Sequence, residues 1–223
     1  MKFVKCMNFT QEQLDAISRA LYNDYSPKYG SDHQYLIGAY LRDGAYFVEV
    51  KVDNQIKETF HLVISNYALG LSEQLLQIIN KKAELMFREE LFYGVKDEGT
   101  LSAIISSIMG SFAGQQFYPG IVKKATMYWY KIATSQVFHN GNKRTALLSA
   151  LYMLNYNGFS LRRVDGNELY RISVQVAKKE LSAEQLEDFI LRNLTLNYFD
   201  SEQAANENRW AIDMNIRVDN PNA

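Results

Sequence analysis

The sequence predicts a mainly α-helical chain preceded by a small α+β unit. Two observations carry that expectation. Runs of β-branched and aromatic residues cluster between Tyr35 and Ser65, and from Leu71 to Asn193 the apolar residues recur at helical spacing almost throughout. With 223 residues, the chain is long enough for one large domain or for an ordinary domain with a smaller attachment.

Thr10 followed by Gln13 has the form of a capping box, and Leu14, Ile17 and Leu21 give a helix over residues 11–25. The period then changes. Tyr35 to Leu41, Tyr46 to Val52 and Ile56 to Ser65 read as strands, with Asp43-Gly44 and Asp53-Asn54 as turns between them, so a three-stranded antiparallel meander is expected. Helices follow over 72–88, 98–110, 119–134, 145–157, 168–178 and 183–193, the fourth closed by Gly158. The resulting organisation is an N-terminal α+β unit at 1–70, a helical domain at 71–195 and a polar tail at 196–223. Within the tail, Trp210 to Val218 could pair as a strand or dock on a partner.

A formal net charge of -1 leaves no uniform basic field, so the chain carries no clear nucleic-acid footprint. Cys6 stands alone and no Cys/His cluster has zinc spacing. The longest apolar stretch, around Ala146 to Leu154, is about half a membrane span. A soluble, cytoplasmic protein is expected.

The segment that can carry chemistry is Gln136-Val137-Phe138-His139-Asn140-Gly141-Asn142-Lys143-Arg144-Thr145, because it joins two helices and brings Gly, Asn, Lys and Arg to the start of the second. The first N–H groups of a helix lack internal partners, its dipole favours an anion there, and Gly141 permits close backbone approach. On this chemistry alone the segment reads either as a phosphate loop or as a polar cap with two solvated cations. It is not a Walker loop, since GxxxxGK[ST] is absent.

The same residues resemble the Fic/Doc signature His-x-Phe-x-Asp/Glu-Gly/Ala-Asn-Lys-Arg-Thr, matching at Phe138, Gly141, Asn142, Lys143, Arg144 and Thr145. The flanks agree: residues 95–101 are similar to the family's Asp-x-Gly-x-Leu helix start, Gln116 to Pro119 to the end of its flap, and Leu154 to Gly158 to the helix end after the motif. Lys143-Arg144 without a second arginine, Leu147 standing at that place, is the death-on-curing form. The resemblance implies a Fic/Doc-like helical domain over 71–195 and nucleotide-dependent transfer to a protein hydroxyl. That means phosphorylation in the death-on-curing branch, for which elongation factor Tu is a known target, and AMPylation in the Fic branch. It further implies ATP or another nucleotide with Mg²⁺ as cofactor, an antitoxin or protein target as partner, and Gly141, Asn142, Lys143 and Arg144 as phosphate-binding residues in a concave anion site.

Two departures set the expected function. At the matching positions the family's histidine base is Gln136 and its acidic metal ligand is Asn140. A carboxamide cannot act as a base near neutral pH, a loss usually worth about 10²- to 10⁴-fold in rate, and it holds a hard cation less well than a carboxylate. The primary expectation is therefore a degenerate Fic/Doc protein that binds nucleotide phosphate or a protein partner with little transfer activity, in a toxin–antitoxin or phage-related setting. The alternative is an active transferase without the usual base.

Other candidates read as structural. His139 could substitute as base, but it lies three residues from the motif position and a hydrogen-bonded structural role is favoured. Phe138 is expected in the core, as are Tyr128 and Trp129 with Tyr130. His33 and His61 have ordinary roles, and Lys123-Lys124 and Lys178-Lys179 are solvated helix faces. Glu207-Asn208 fits the end of the family's inhibitory pattern Ser/Thr-x-x-x-Glu-Gly/Asn. Gln203 and Leu147 break the pattern and remove its partner arginine, so inhibition of that type is not expected.

Overall fold

A computed structural model of the chain describes residues 1–7, 9–65, 70–87 and 92–207. The alternating stretch Trp210 to Val218, residue Asn208 and the expected helix end at Arg88 lie outside them. The described residues divide into two units, one of 1–65, 154–163 and 190–207, the other of 70–87, 92–153 and 164–189.

In chain order the elements begin with β1 (Lys2–Met7), α1 (Gln11–Tyr29), β2 (Tyr35–Arg42), β3 (Ala45–Val52) and β4 (Gln55–Ser65). Next come α2 (Glu73–Phe87), α3 (Glu98–Met109), β5 (Ser111–Phe112), β6 (Gln115–Gln116), α4 (Ile121–Ser135) and α5 (Asn142–Tyr156). The last are β7 (Phe159–Ser160), α6 (Gly166–Ala177), α7 (Ala183–Asn193), β8 (Thr195–Leu196), β9 (Tyr198–Phe199) and α8 (Glu202–Glu207). The chain is mainly helical, as its sequence predicts, and none of its described helices is long and apolar enough to cross a membrane.

The first unit is built on the expected meander. Asp43, Gly44, Asp53 and Asn54 all take positive φ, the left-handed pairs that let two-residue turns follow the twist of the strands. The sheet is larger than three strands, however, with order β2-β3-β4-β1-β9. The overlooked strand β1 runs parallel to β4, from Lys2 opposite Phe60 to Met7 opposite Ser65, and β9 pairs with its other side through Phe3 and Val4. Its sequence, Lys-Phe-Val-Lys-Cys-Met, is too short and mixed to announce a strand alone; pairing buries Val4 and Cys6 completely.

Helix α1 covers one face of the sheet. Its Ile17 and Leu21 are fully buried, as are Val50 and Phe60 of the strands, and Asn23 ties it to the Leu191 and Leu194 carbonyls, both at 2.9 Å. The capping box is half formed: the Gln13 amide donates to Thr10 Oγ1 at 3.4 Å, while the buried Gln13 side chain makes no hydrogen bond in return.

In the second unit α4 is the central element, packed against α3 and α6. Tyr128 and Trp129 are fully buried, as expected, with the Trp129 indole donating to Ser173 Oγ at 3.0 Å and Tyr128 donating to the Leu71 carbonyl at 3.3 Å. Lys124 departs from the solvated face predicted for it. It is 3 % exposed, and its ammonium donates to Gln116 Oε1 at 2.6 Å and to the Tyr118 carbonyl, anchoring the end of the β5–β6 hairpin to α4.

Candidate functional site

The motif segment is the junction between α4 and α5, and backbone geometry explains its shape. Gln136 ends α4 in the left-handed conformation (φ 49°, ψ 48°) and is exposed. Gly141 turns the chain again at φ 72° immediately before α5. That helix starts three residues earlier than apolar periodicity places it, because a side-chain amide closes the turn: the Phe138 N–H donates to Asn142 Oδ1 at 2.9 Å and Asn142 Nδ2 donates to the Phe138 carbonyl at 2.8 Å. Asn142 therefore braces the loop with both ends of its amide.

The loop is also held from outside. Val95 and Phe138 form a β-bridge, the Lys96 N–H donates to the Val137 carbonyl at 2.8 Å, and the His139 N–H donates to the Gly94 carbonyl at 3.0 Å. One residue beyond, Asp97 caps α3 by accepting from the Thr100 N–H at 2.9 Å. That hydrogen bond is the main reason its carboxyl lies below the usual range. Phe138 is 1 % exposed and belongs to the core, as expected.

Two residues that sequence reasoning missed organise the site, and both come from α2. Asn80 is fully buried; it donates to the Asn140 carbonyl at 3.0 Å and to Thr145 Oγ1 at 2.9 Å, and accepts from the Gly94 N–H at 2.9 Å. One turn later Glu84, also fully buried, accepts from Arg144 Nη2 at 2.8 Å. A Cβ added to Gly141 would lie 2.1 Å from Glu84 Oε1, so that carboxylate sits against the glycine at the head of α5. The available signal was a polar residue at each of two positions among Leu76, Ile79 and Ala83, which form the buried stripe of α2.

The expected phosphate-binding residues are thus differently occupied. Gly141 has the predicted positive φ but faces a carboxylate, Asn142 braces its own loop, and Arg144 is turned onto Glu84, whereas Lys143 is exposed. Asn140 accepts from the following Gly141 N–H at 2.8 Å through Oδ1, and among the described residues no group of three His, Cys, Asp or Glu side chains could hold a metal. The exposed His139 ring lies 4.8 Å from that of Phe92.

A loop pinned to a neighbouring bridge, with Phe inward and Gly-Asn-Lys-Arg-Thr opening the next helix, defines the class: the chain belongs to the Fic/DOC family, whose model matches residues 8–154. The match takes in α1 and the meander as well as α2 to α5. Among curated proteins the chain is similar to the protein kinase doc of Escherichia phage P1, at 33 % identity over 99 residues, 44 % of this chain and 76 % of that protein.

Proposed function

We propose that this is a Fic/DOC protein of toxin-related lineage in which the transfer reaction has been largely given up, leaving weak nucleotide binding and protein contacts, such as with an antitoxin or a former target, as its working properties. One observation carries the reading: the buried Glu84 carboxylate, paired with Arg144, lies against Gly141, where the family's motif would receive phosphate. Like charges repel in so dry a place, so phosphate entry requires Glu84 to move or to be neutralised.

As they stand, these residues fit a nucleotide phosphate with Mg²⁺ poorly, in keeping with weak binding. Arg144 is committed to Glu84, Asn140 offers the cation no charge and Gln136 cannot take a proton. The family's use of a nucleotide, and the kinase activity named for the phage P1 relative, describe the chemistry from which the chain has departed.

The test incubates the purified chain with labelled ATP and elongation factor Tu, beside a Gln136→His, Asn140→Asp variant and a Glu84→Gln variant. Little transfer is expected from the native chain, tighter ATP binding from Glu84→Gln, and at least about a hundredfold more transfer when base and metal ligand are both restored. Robust native transfer that survives Gln136→Ala overturns the proposal. Loss of such transfer on His139→Ala would show that the base has moved.

A further inference from the structure

Strand β2 stands at the edge of the five-stranded sheet, with β3 on one side and, among the described residues, no strand on the other. The hairpin fixes which of its backbone groups are left over. Arg42 and Ala45 flank the two-residue turn and so exchange hydrogen bonds, and the same holds at every second pair along the two strands. At the far end of this series the Asp53 N–H donates to the Gln34 carbonyl at 3.0 Å. Tyr35, Ile37, Ala39 and Leu41 therefore direct their N–H and C=O groups away from the sheet.

Such an edge usually carries a defence: a short strand, a proline, a bulge or a charge. Here β2 is eight residues long, pairs with β3 in unbroken register, and has no Pro and no charged residue from Tyr35 to Leu41. Leu36, Gly38, Ala39 and Leu41 are all exposed. Nothing within the chain requires the glycine at its centre. Gly38 does not take positive φ, and a Cβ added to it would meet nothing within 4 Å. A glycine inside a strand weakens it, and marks a place where another backbone approaches closely.

We infer that β2 is a docking edge for β2 of a second copy of this chain, the two strands running antiparallel about a two-fold axis at Gly38 and joining two sheets edge to edge. Self-complementarity selects both the occupant and the register. With Gly38 opposite Gly38, Tyr35 faces Leu41 of the second copy and Ile37 faces Ala39, so all four outward-directed residues pair at once, with about eight N–H···O bonds. On the other face Leu36 meets Tyr40 of the second copy, and each exposed leucine is thereby covered by a tyrosine. A shift of two residues leaves one outward residue of each copy unpaired and takes the glycines off the axis. At the axis they form a pair without hydrogen bonds, the kind whose Cα atoms lie closest, about 4.5 Å apart. Such a contact is isologous and closes at two copies. A single strand pair is a small interface, so a dissociation constant on the order of 10 µM is expected. The inference is independent of any nucleotide chemistry, since all of its residues belong to the sheet unit.

Cysteine cross-linking and sedimentation equilibrium of the full chain test it. Gly38→Cys puts two thiols across the axis, within the Cα separations of about 4.4–6.8 Å that a disulfide spans. Leu36→Cys and Leu41→Cys, also at exposed positions, leave theirs about 14 and 20 Å apart along the strands. Cys6 is buried, its thiol pushed up to about 12, and does not compete. Under mild oxidation the Gly38→Cys dimer should form at least about tenfold faster than either of the others, because docking raises the local thiol concentration. Without cross-links the native chain should pass from monomer to dimer as its concentration rises. Gly38→Lys has open space for its side chain in one copy but sets like charges face to face across the axis. It should weaken dimerisation at least about tenfold while its circular dichroism stays native. Cross-linking at Leu36→Cys or Leu41→Cys as fast as at Gly38→Cys overturns the inference. So does a native chain still monomeric at about 500 µM, or a natively folded Gly38→Lys variant that dimerises as well as the native chain.

Discussion

Gly141→Ala is the sharpest probe of the loop, because both of its costs follow from geometry. At φ 72° an L side chain adds about 1–2 kcal/mol of left-handed strain. The new methyl would also lie 2.1 Å from Glu84 Oε1 and 3.4 Å from Asn80 Nδ2. Glu84 is the end of a side chain that could swing away, but it is fully buried and bonded to Arg144, and disrupting a buried ion pair costs about 3–5 kcal/mol. A total of about 4–7 kcal/mol is expected, which for a chain of this size lowers Tm by about 8–28 °C. The assay is thermal and urea denaturation of a double-mutant cycle. With Glu84→Ala in place the methyl has room, so Gly141→Ala should cost only the strain, leaving a coupling of about 3–5 kcal/mol. A cost below about 1 kcal/mol in the native background, or the same cost in both backgrounds, would refute the contact.

Asn80→Ala removes three hydrogen bonds, one buried and two half-buried, and should destabilise by about 2–4 kcal/mol in urea titration; a loss under about 1 kcal/mol means Asn80 does not hold the loop. Burial pushes the Tyr128 phenol up to about 12 from its ordinary value near 10. The folded state keeps this proton longer than the unfolded state does, so the stability it contributes is intact below about pH 10 and is lost as pH rises towards 12, a decline that Tyr128→Phe should make shallower. A thiol reagent at pH 8 should leave Cys6 unmodified until the chain unfolds; rapid labelling of native protein would contradict its burial on β1.

The sequence by itself determined most of what local physics governs. Asp43-Gly44 and Asp53-Asn54 announced their turns because few residues accept left-handed backbone. Residues 183–193 were legible as α7 because their apolar positions recur at one period, and the motif was legible because Gly141 must turn where a helix begins. Its class was legible too, since Phe138 and Gly141 to Thr145 lie close together in one short segment of the chain. What only the tertiary structure decided is whatever depends on distant partners. β1 becomes a strand by pairing with β4, more than fifty residues later. Lys124 is buried because the β5–β6 hairpin supplies acceptors for its charge. Most consequentially, Arg144 meets Glu84, sixty residues upstream. A guanidinium in a sequence is equally ready for a phosphate and for a carboxylate, and only packing α2 against the loop brings the Glu84 carboxylate to Arg144.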